Sequence, residues 1–118
     1  MLKLNHKKLI VWNKALSFIN ESYRLTQKLP KDEQYVLTSQ IRRASVSIAS
    51  NIAEGASRRS QLEHKRFYEI SRSSLVEVDT QVEICLLLNY LKENELQVLG
   101  PLANEIFALL TTMINTTK

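Results

Sequence analysis

Glycine and proline are scarce in this chain, with two of each among 118 residues. Folds built from many short strands and tight turns need far more of both, so sandwiches, barrels and propellers are set aside. A single cysteine, Cys85, leaves no internal disulfide and no cysteine metal cluster. Set in the apolar run Ile84-Cys-Leu-Leu-Leu88, it reads as a small buried hydrophobe rather than a reactive thiol. A reducing, cytoplasmic setting fits. No apolar run approaches the ~20 residues of a membrane span, and the opening Met-Leu-Lys-Leu-Asn-His-Lys-Lys is too polar for the apolar stretch of a signal peptide. Histidine is limited to His6 and His64, and no Glu-x-x-His pattern occurs, so no metal site is expected. There is no Gly-x-Ser-x-Gly turn, no Gly-Lys-Ser/Thr loop and no Gly-x-Gly-x-x-Gly fingerprint. No catalytic residue and no cofactor is therefore expected.

What is present is helix-forming. Leu, Ala, Ile, Glu, Lys and Arg dominate long blocks, which points to an all-α fold. A chain of this length suits one domain with one core, residues 1–118. The periodicity predicts helices over about 9–28, 32–56, 60–91 and 95–115. In the first, Val11, Trp12, Ala15, Leu16, Phe18, Ile19, Tyr23 and Leu25 share one half of the cylinder. In the second, Leu37, Ile41, Ala44, Ile48 and Ile52 form the inward stripe. The third carries Phe67, Ser71, Ser74, Val78, Val82 and Cys85 inward, and from Ile84 onward its apolar residues point all round. The fourth carries Leu96, Leu99, Ala103, Ile106, Leu110 and Met113.

The helix boundaries have their own signals. Pro30 breaks the first connection. Gly55 is expected to stop the second helix, and Ser60 with Glu63 has the spacing of a capping box for the third. Asn94 is the expected cap before the fourth. Gly100-Pro101 predicts a kink or a late start, and Asn115-Thr-Thr-Lys118 is expected to fray. Four amphipathic helices with short connections imply an antiparallel up-down-up-down four-helix bundle.

The segment Gln40–Gly55 holds only three charges, Arg42, Arg43 and Glu54. A solvated helix would show a broader charged face. Val46, Ala49 and Ala53 therefore suggest close approach by another copy of the chain. Gln40, Arg43, Ser47, Asn51 and Glu54 make a polar row beside the core stripe. It is either a hydrogen-bonded network that sets register or a notch for a ligand. An enzyme using Arg43, Asn51 and Glu54 would need them to converge on an apolar pocket.

Charge is unevenly spread. Residues 1–72 hold fourteen Lys/Arg against six Asp/Glu, and residues 73–118 hold two against six. Such a balance marks either an anionic partner or two ends of a subunit that meet in an assembly. Arg58, Arg59, Lys65, Arg66 and Arg72 cluster where the second helix passes into the third. They form either a solvated surface with local pairs such as Glu54–Arg58 and Lys65–Glu69, or contacts to the phosphates of RNA or DNA. Lys7, Lys8 and Lys14 are secondary candidates.

The residues also carry a family resemblance. Trp12-Asn-Lys-Ala15, Leu29-Pro-Lys-Asp-Glu33 with Tyr35 and Leu37, Gln40-Ile-Arg-Arg-Ala44, Ser47-Ile48, Ser50-Asn-Ile-Ala-Glu-Gly55, Arg58, Phe67 and Ser74-Leu-Val-Glu77 stand in order. Together they resemble the four-helix-bundle proteins encoded in intervening sequences of bacterial 23S ribosomal RNA genes. Val36 and Ser73 stand where glycine is common in that pattern, and both are compatible with helix. The resemblance implies an antiparallel bundle assembling as a homopentamer in the cytoplasm, with no established enzymatic activity. It is similar, too, to accessory proteins of diversity-generating retroelements, which implies nucleic acid and a reverse transcriptase as partners. A non-enzymatic accessory factor that binds nucleic acid is the leading expectation. A protein-interaction scaffold with no direct nucleic-acid role is the alternative.

Overall fold

The computed structural model describes residues 1–117; Lys118 lies outside the described residues. Four α-helices and no strand are found among them: α1 (Ile10–Thr26), α2 (Ser39–Ser57), α3 (Gln61–Leu87) and α4 (Leu99–Thr116). Each helix packs on the next, and α4 closes back on α1. The four inward stripes thus meet in one core. Its centre is Ala15 and Phe18 of α1, Ile48 and Ile52 of α2, Val78 and Cys85 of α3, and Ile106 and Leu110 of α4, all essentially inaccessible. Each large member contributes about 1.5–3 kcal/mol through burial.

The sequence stripes are met closely in the second segment, where all five inward residues are buried, Leu37 in the turn before α2 and the other four in α2 itself. They shift elsewhere. In α1, Leu16 and Tyr23 are exposed, while Ser22 and Thr26 go inward. In α4, Ile114 is buried deeper than Met113.

The helix ends depart from expectation for identifiable reasons. The second helix does not run straight from residue 32. A 3-10 turn at Lys31–Glu33 leads into a π-helical turn at Gln34–Thr38, and only then does regular α2 begin. The third helix stops at Leu87 rather than near Leu91. Asn89 takes a left-handed conformation with φ 62°. The amides of Asn89 and Tyr90 then donate to the carbonyls of Leu86 and Cys85 at 3.1 and 2.9 Å. That is a Schellman closure, with asparagine in the place more often taken by glycine. Ser60 caps α3 as expected, its Oγ accepting the Glu63 amide at 3.0 Å. Asn94 is not the cap of the fourth segment. Lys92 opens a 3-10 turn (Glu93–Leu96) and its amide donates to the Glu95 carboxylate at 2.9 Å. The fourth helix starts late, which places Pro101 in its first turn, where a missing N–H costs nothing. It remains helical through Thr116.

Gly55 is a second correction. It lies inside α2, two residues before its end, and does not terminate it. Its role is close approach. A Cβ at this position would stand 2.7 and 2.9 Å from Cε1 and Cδ1 of Tyr68 and 3.1 Å from Cβ of Phe67. Tyr68 is itself buried, so its ring has little room to retreat.

Gly55→Ala is expected to destabilise the fold. Overpacking costs about 1–3 kcal/mol, against a gain of up to ~1 kcal/mol in helix propensity. The net loss should be near ~1 kcal/mol, read as a lower urea midpoint with unchanged slope. An increase in stability would show that Tyr68 moves freely.

Candidate functional site

The polar row predicted on α2 divides into separately engaged groups. Ser47 and Asn51 join the packing between α2 and α3: Ser47 Oγ lies 2.9 Å from Ser74 Oγ, and Asn51 Nδ2 donates to the carbonyl and the Oγ of Ser47 at 2.8 and 2.9 Å. Ser71 Oγ, one turn along α3, donates to the Ile48 carbonyl at 2.8 Å. Glu54 instead faces solvent and holds Arg58 at 3.1 Å. Gln40 and Arg43 are exposed. The row is therefore not one network: Asn51 and Glu54 are engaged separately, and Arg43 is exposed.

A second hydroxyl seam joins α1 to α2, and hydrophobic periodicity does not reveal it. Ser45 Oγ donates to Ser22 Oγ at 3.0 Å, and Arg42 Nε donates to Thr26 Oγ1 at 2.8 Å. Ser22 and Thr26 in turn donate to the carbonyls of Phe18 and Ser22 at 2.8 Å each. A signal for the seam does exist: Ser22 and Thr26 sit four apart beside Phe18 and Leu25. Glu21 lies outside the apolar half of the first helix, yet it is buried and accepts two hydrogen bonds from Arg24, both at 2.7 Å. The Arg24 guanidinium outweighs the cost of burial and holds the Glu21 carboxyl below its ordinary value.

The charge-poor flank of α2 is largely covered within its own chain. Ala49 is only 6% exposed. A 3-10 turn at Asn5–Lys8 folds against α2, and its His6 meets the Trp12 ring edge-on at 5.0 Å. Val46, Ala49 and Ala53 line a shallow apolar groove with Trp12, Leu16 and Ile19, about 300 Å³ in volume. Val46 remains 41% exposed.

The basic cluster gathers at the corner between α2 and α3. Arg58 follows the end of α2 in extended conformation, its guanidinium 4.8 Å above the Phe67 ring. Arg59, Lys65 and Arg66 are exposed and form no side-chain ion pair among the described residues. The i, i+4 pair Lys65–Glu69 does not form, whereas Glu54–Arg58 does. Arg72 turns toward α4, donating to Thr111 Oγ1 at 3.0 Å and lying 5.5 Å over Phe107. Lys65 and Arg72 share a face of α3, and Arg66 points about 100° away. Of the secondary candidates, Lys14 pairs with Glu105 of α4 and Lys7 reaches the Leu2 carbonyl, while Lys8 stays exposed.

Other reactive groups are quiet. Cys85 is fully buried, and burial, aided by the nearby Glu33 carboxylate, pushes its thiol up to about 11. Tyr90 donates to Glu33 at 2.9 Å, which raises its hydroxyl pKa. No group of three His, Cys, Asp or Glu side chains converges as a metal would require among the described residues. No helix among them is long and apolar enough to cross a membrane.

The fold and this surface define a small all-helical protein with a basic corner and no assembled catalytic constellation among the described residues. Residues 7–112 match the 23S rRNA-intervening sequence protein family, and the chain belongs to that family. It is also similar to a crystal structure, at 1.70 Å resolution, of a protein with unknown function from the S23 ribosomal protein family of Bacteroides thetaiotaomicron VPI-5482. The two share 24% identity with a TM-score of 0.82, over 91% of this chain and 100% of that one, a likeness that bears on the fold alone. No curated protein matches the chain.

The Glu21–Arg24 pair generates a pH prediction. The folded carboxyl is the stronger acid, so the unfolded chain binds its proton first. The pair's contribution is complete above the unfolded value near 4.5 and drains away as pH falls through the lower folded value. Urea titrations across that range should show stability rising with pH, and Glu21→Gln should flatten the rise. An unchanged profile in the variant would assign the acid limb elsewhere.

Proposed function

We propose that this chain is a subunit of a non-enzymatic cytoplasmic homo-oligomer that binds RNA or DNA through the corner between α2 and α3, as an accessory factor. The subunit is an antiparallel up-down-up-down bundle. Its cross-helix contacts run in opposed order: Ser22 meets Ser45 while Thr26 meets Arg42, Ser47 meets Ser74 while Gly55 meets Tyr68, and Lys14 meets Glu105 while Lys28 meets Glu95. The observation that carries the binding function is the exposure of Arg59, Lys65 and Arg66 without carboxylate partners among the described residues, beside an Arg58 whose guanidinium lies 4.8 Å over the Phe67 ring. Unneutralised arginine and lysine in this density suit a polyanion, whose bound counterions they displace.

Assembly is supported by apolar surface left open on the single chain. Leu62 and Leu87 are each 77% exposed, and Val76, Ile84, Leu88 and Phe107 are also open. The groove around Val46, with Ala49 and Ala53 in its wall, receives the neighbouring protomer, and five copies are the expected count. A ring would repeat the basic corner and multiply weak phosphate contacts. The same apolar surface favours a second reading, a scaffold for another protein such as a reverse transcriptase, with nucleic acid incidental. Capture of partners with and without nuclease separates the two.

Replacing Arg58, Arg59, Lys65, Arg66 and Arg72 by alanine should weaken binding to duplex RNA or DNA. The dependence of log affinity on log salt should fall by about 0.9 for each phosphate that the variant no longer neutralises. Equal affinity and slope in the variant would remove the corner from the interface.

Light scattering of the native protein should give several times the 13.6 kDa subunit mass. Val46→Glu, at an exposed position, should shift it toward the subunit mass without lowering helix content. A native monomer at micromolar concentration would overturn the assembly.

A further inference from the structure

We propose that a notch at the opposite end of α2 holds an unstacked base and its phosphate from a single-stranded nucleic acid. The proposal rests on the nucleic-acid reading above but uses different residues. Tyr23 of α1, the π-helical turn with Gln34, Tyr35 and Thr38, and Arg42 and Arg43 of α2 line an open notch of about 420 Å³. That volume falls within the ~300–1,000 Å³ range of small-molecule sites.

Three features give the notch its chemistry. First, it carries two guanidinium groups, and no carboxylate lines it. Arg42 is fixed by hydrogen bonds to Thr26 Oγ1 at 2.8 Å and the Tyr23 carbonyl at 3.4 Å, with its Cζ 4.5 Å over the Tyr23 ring. Those bonds use two of the five N–H donors a guanidinium carries and leave three for a ligand. Arg43 is exposed and makes no side-chain ion pair among the described residues. Such a pair of cations fits a phosphate.

Second, Tyr35 is 86% exposed. The five-residue π turn explains this: it sends Leu37 into the core and leaves the Tyr35 ring standing in solvent. Single exposed apolar side chains are ordinary. An open aromatic face beside two unneutralised guanidinium groups is the combination used to stack bases along a phosphate backbone. Third, the Gln34 amide and Thr38 hydroxyl supply donors and acceptors at the rim for base edges. Duplex bases are already stacked and paired, so the notch selects single strands. It lies roughly 22 Å of helix from Arg58, measured from Arg43, so the two surfaces can be altered separately.

The test measures fluorescence anisotropy of a labelled single strand, as RNA and as DNA, and of a duplex of equal length. Tyr35→Ala should weaken single-strand binding about 5- to 100-fold. Tyr35→Phe should restore it to within about twofold. Arg43→Ala should reduce the single-strand salt slope by about 0.7. Duplex binding should change less than about twofold in all three. Both side chains are exposed, so the variants should melt like the native protein; if Tyr35→Ala melts early Tyr35→Ser replaces it, and if Arg43→Ala does Arg43→Gln replaces it. If Tyr35→Ala and Arg43→Ala bind single strands as the native protein does, while the five-alanine variant loses duplex, the notch is refuted and the basic corner stands. If single-strand and duplex affinity fall together, base stacking is refuted. If the native protein binds neither probe, the nucleic-acid reading fails and the notch fails with it.

Discussion

The close seating of α3 on α2 is the constraint on which the other features depend. It is made by small residues. Gly55 admits the Tyr68 ring, Ser71 reaches the Ile48 carbonyl, and Ser47 meets Ser74. Larger side chains at these positions would push the helices toward the wider end of the usual 8–10 Å separation. With α3 drawn in, the three residues between the helices turn sharply, which brings Arg58 and Arg59 beside the start of α3, where Lys65 and Arg66 are exposed. The basic corner is thus a consequence of helix packing.

Hydroxyls in a core are costly unless satisfied. Here the buried members of the two seams find acceptors: Ser45 and Ser71 across the interface, on Ser22 Oγ and the Ile48 carbonyl, and others within their own helix. Ser22 and Ser74 bond to carbonyls four residues back in their own helices, and each also meets a hydroxyl across the interface. The local bond offsets desolvation, and the cross-helix bond adds direction. Apolar surfaces slide with little penalty; a serine pair breaks if the register moves by one turn. The α1–α2 seam does one thing more. By holding Arg42 against Thr26 and Tyr23, it fixes a guanidinium at the mouth of an open notch, which removes part of the entropy cost of ordering that side chain on binding.

The inward stripes were legible because burial repeats with the helical period, and α2 follows it residue for residue. The ends were less legible, since they rest on single residues with more than one possible role. Gly55 reads as a stop by local chemistry but is held inside the helix by a partner thirteen positions away. Asn89 closes α3 through a left-handed backbone that no hydrophobic period announces. The π turn at Gln34–Thr38 has no periodic signature, so Tyr35 looked like a marker of family and not like an exposed ring. The burial of Glu21 was not legible because its guanidinium partner lies only three residues on, within the same polar stripe. The polar row failed as one unit for a geometric reason: spacings of three and four keep residues on one side of a helix, but neighbouring helices cover only part of that side.

The poverty of charge on α2 needs less outside help than the sequence suggests. Ala49 is covered by the chain's own first helix and N-terminal turn, which leaves Val46 as the open part of that flank. The charges that are present divide by role. Lys14–Glu105 and Lys28–Glu95 link α1 to the α4 side, and as exposed pairs they add little to stability. At either end of α2, Arg42 and Arg58 are engaged within the chain, whereas Arg43, Arg59, Lys65 and Arg66 are exposed and form no side-chain ion pair among the described residues. Exposed like charges in a cluster repel one another. On the binding proposed above, an anion outside the chain offsets that repulsion among the exposed cations carried at both ends of one helix.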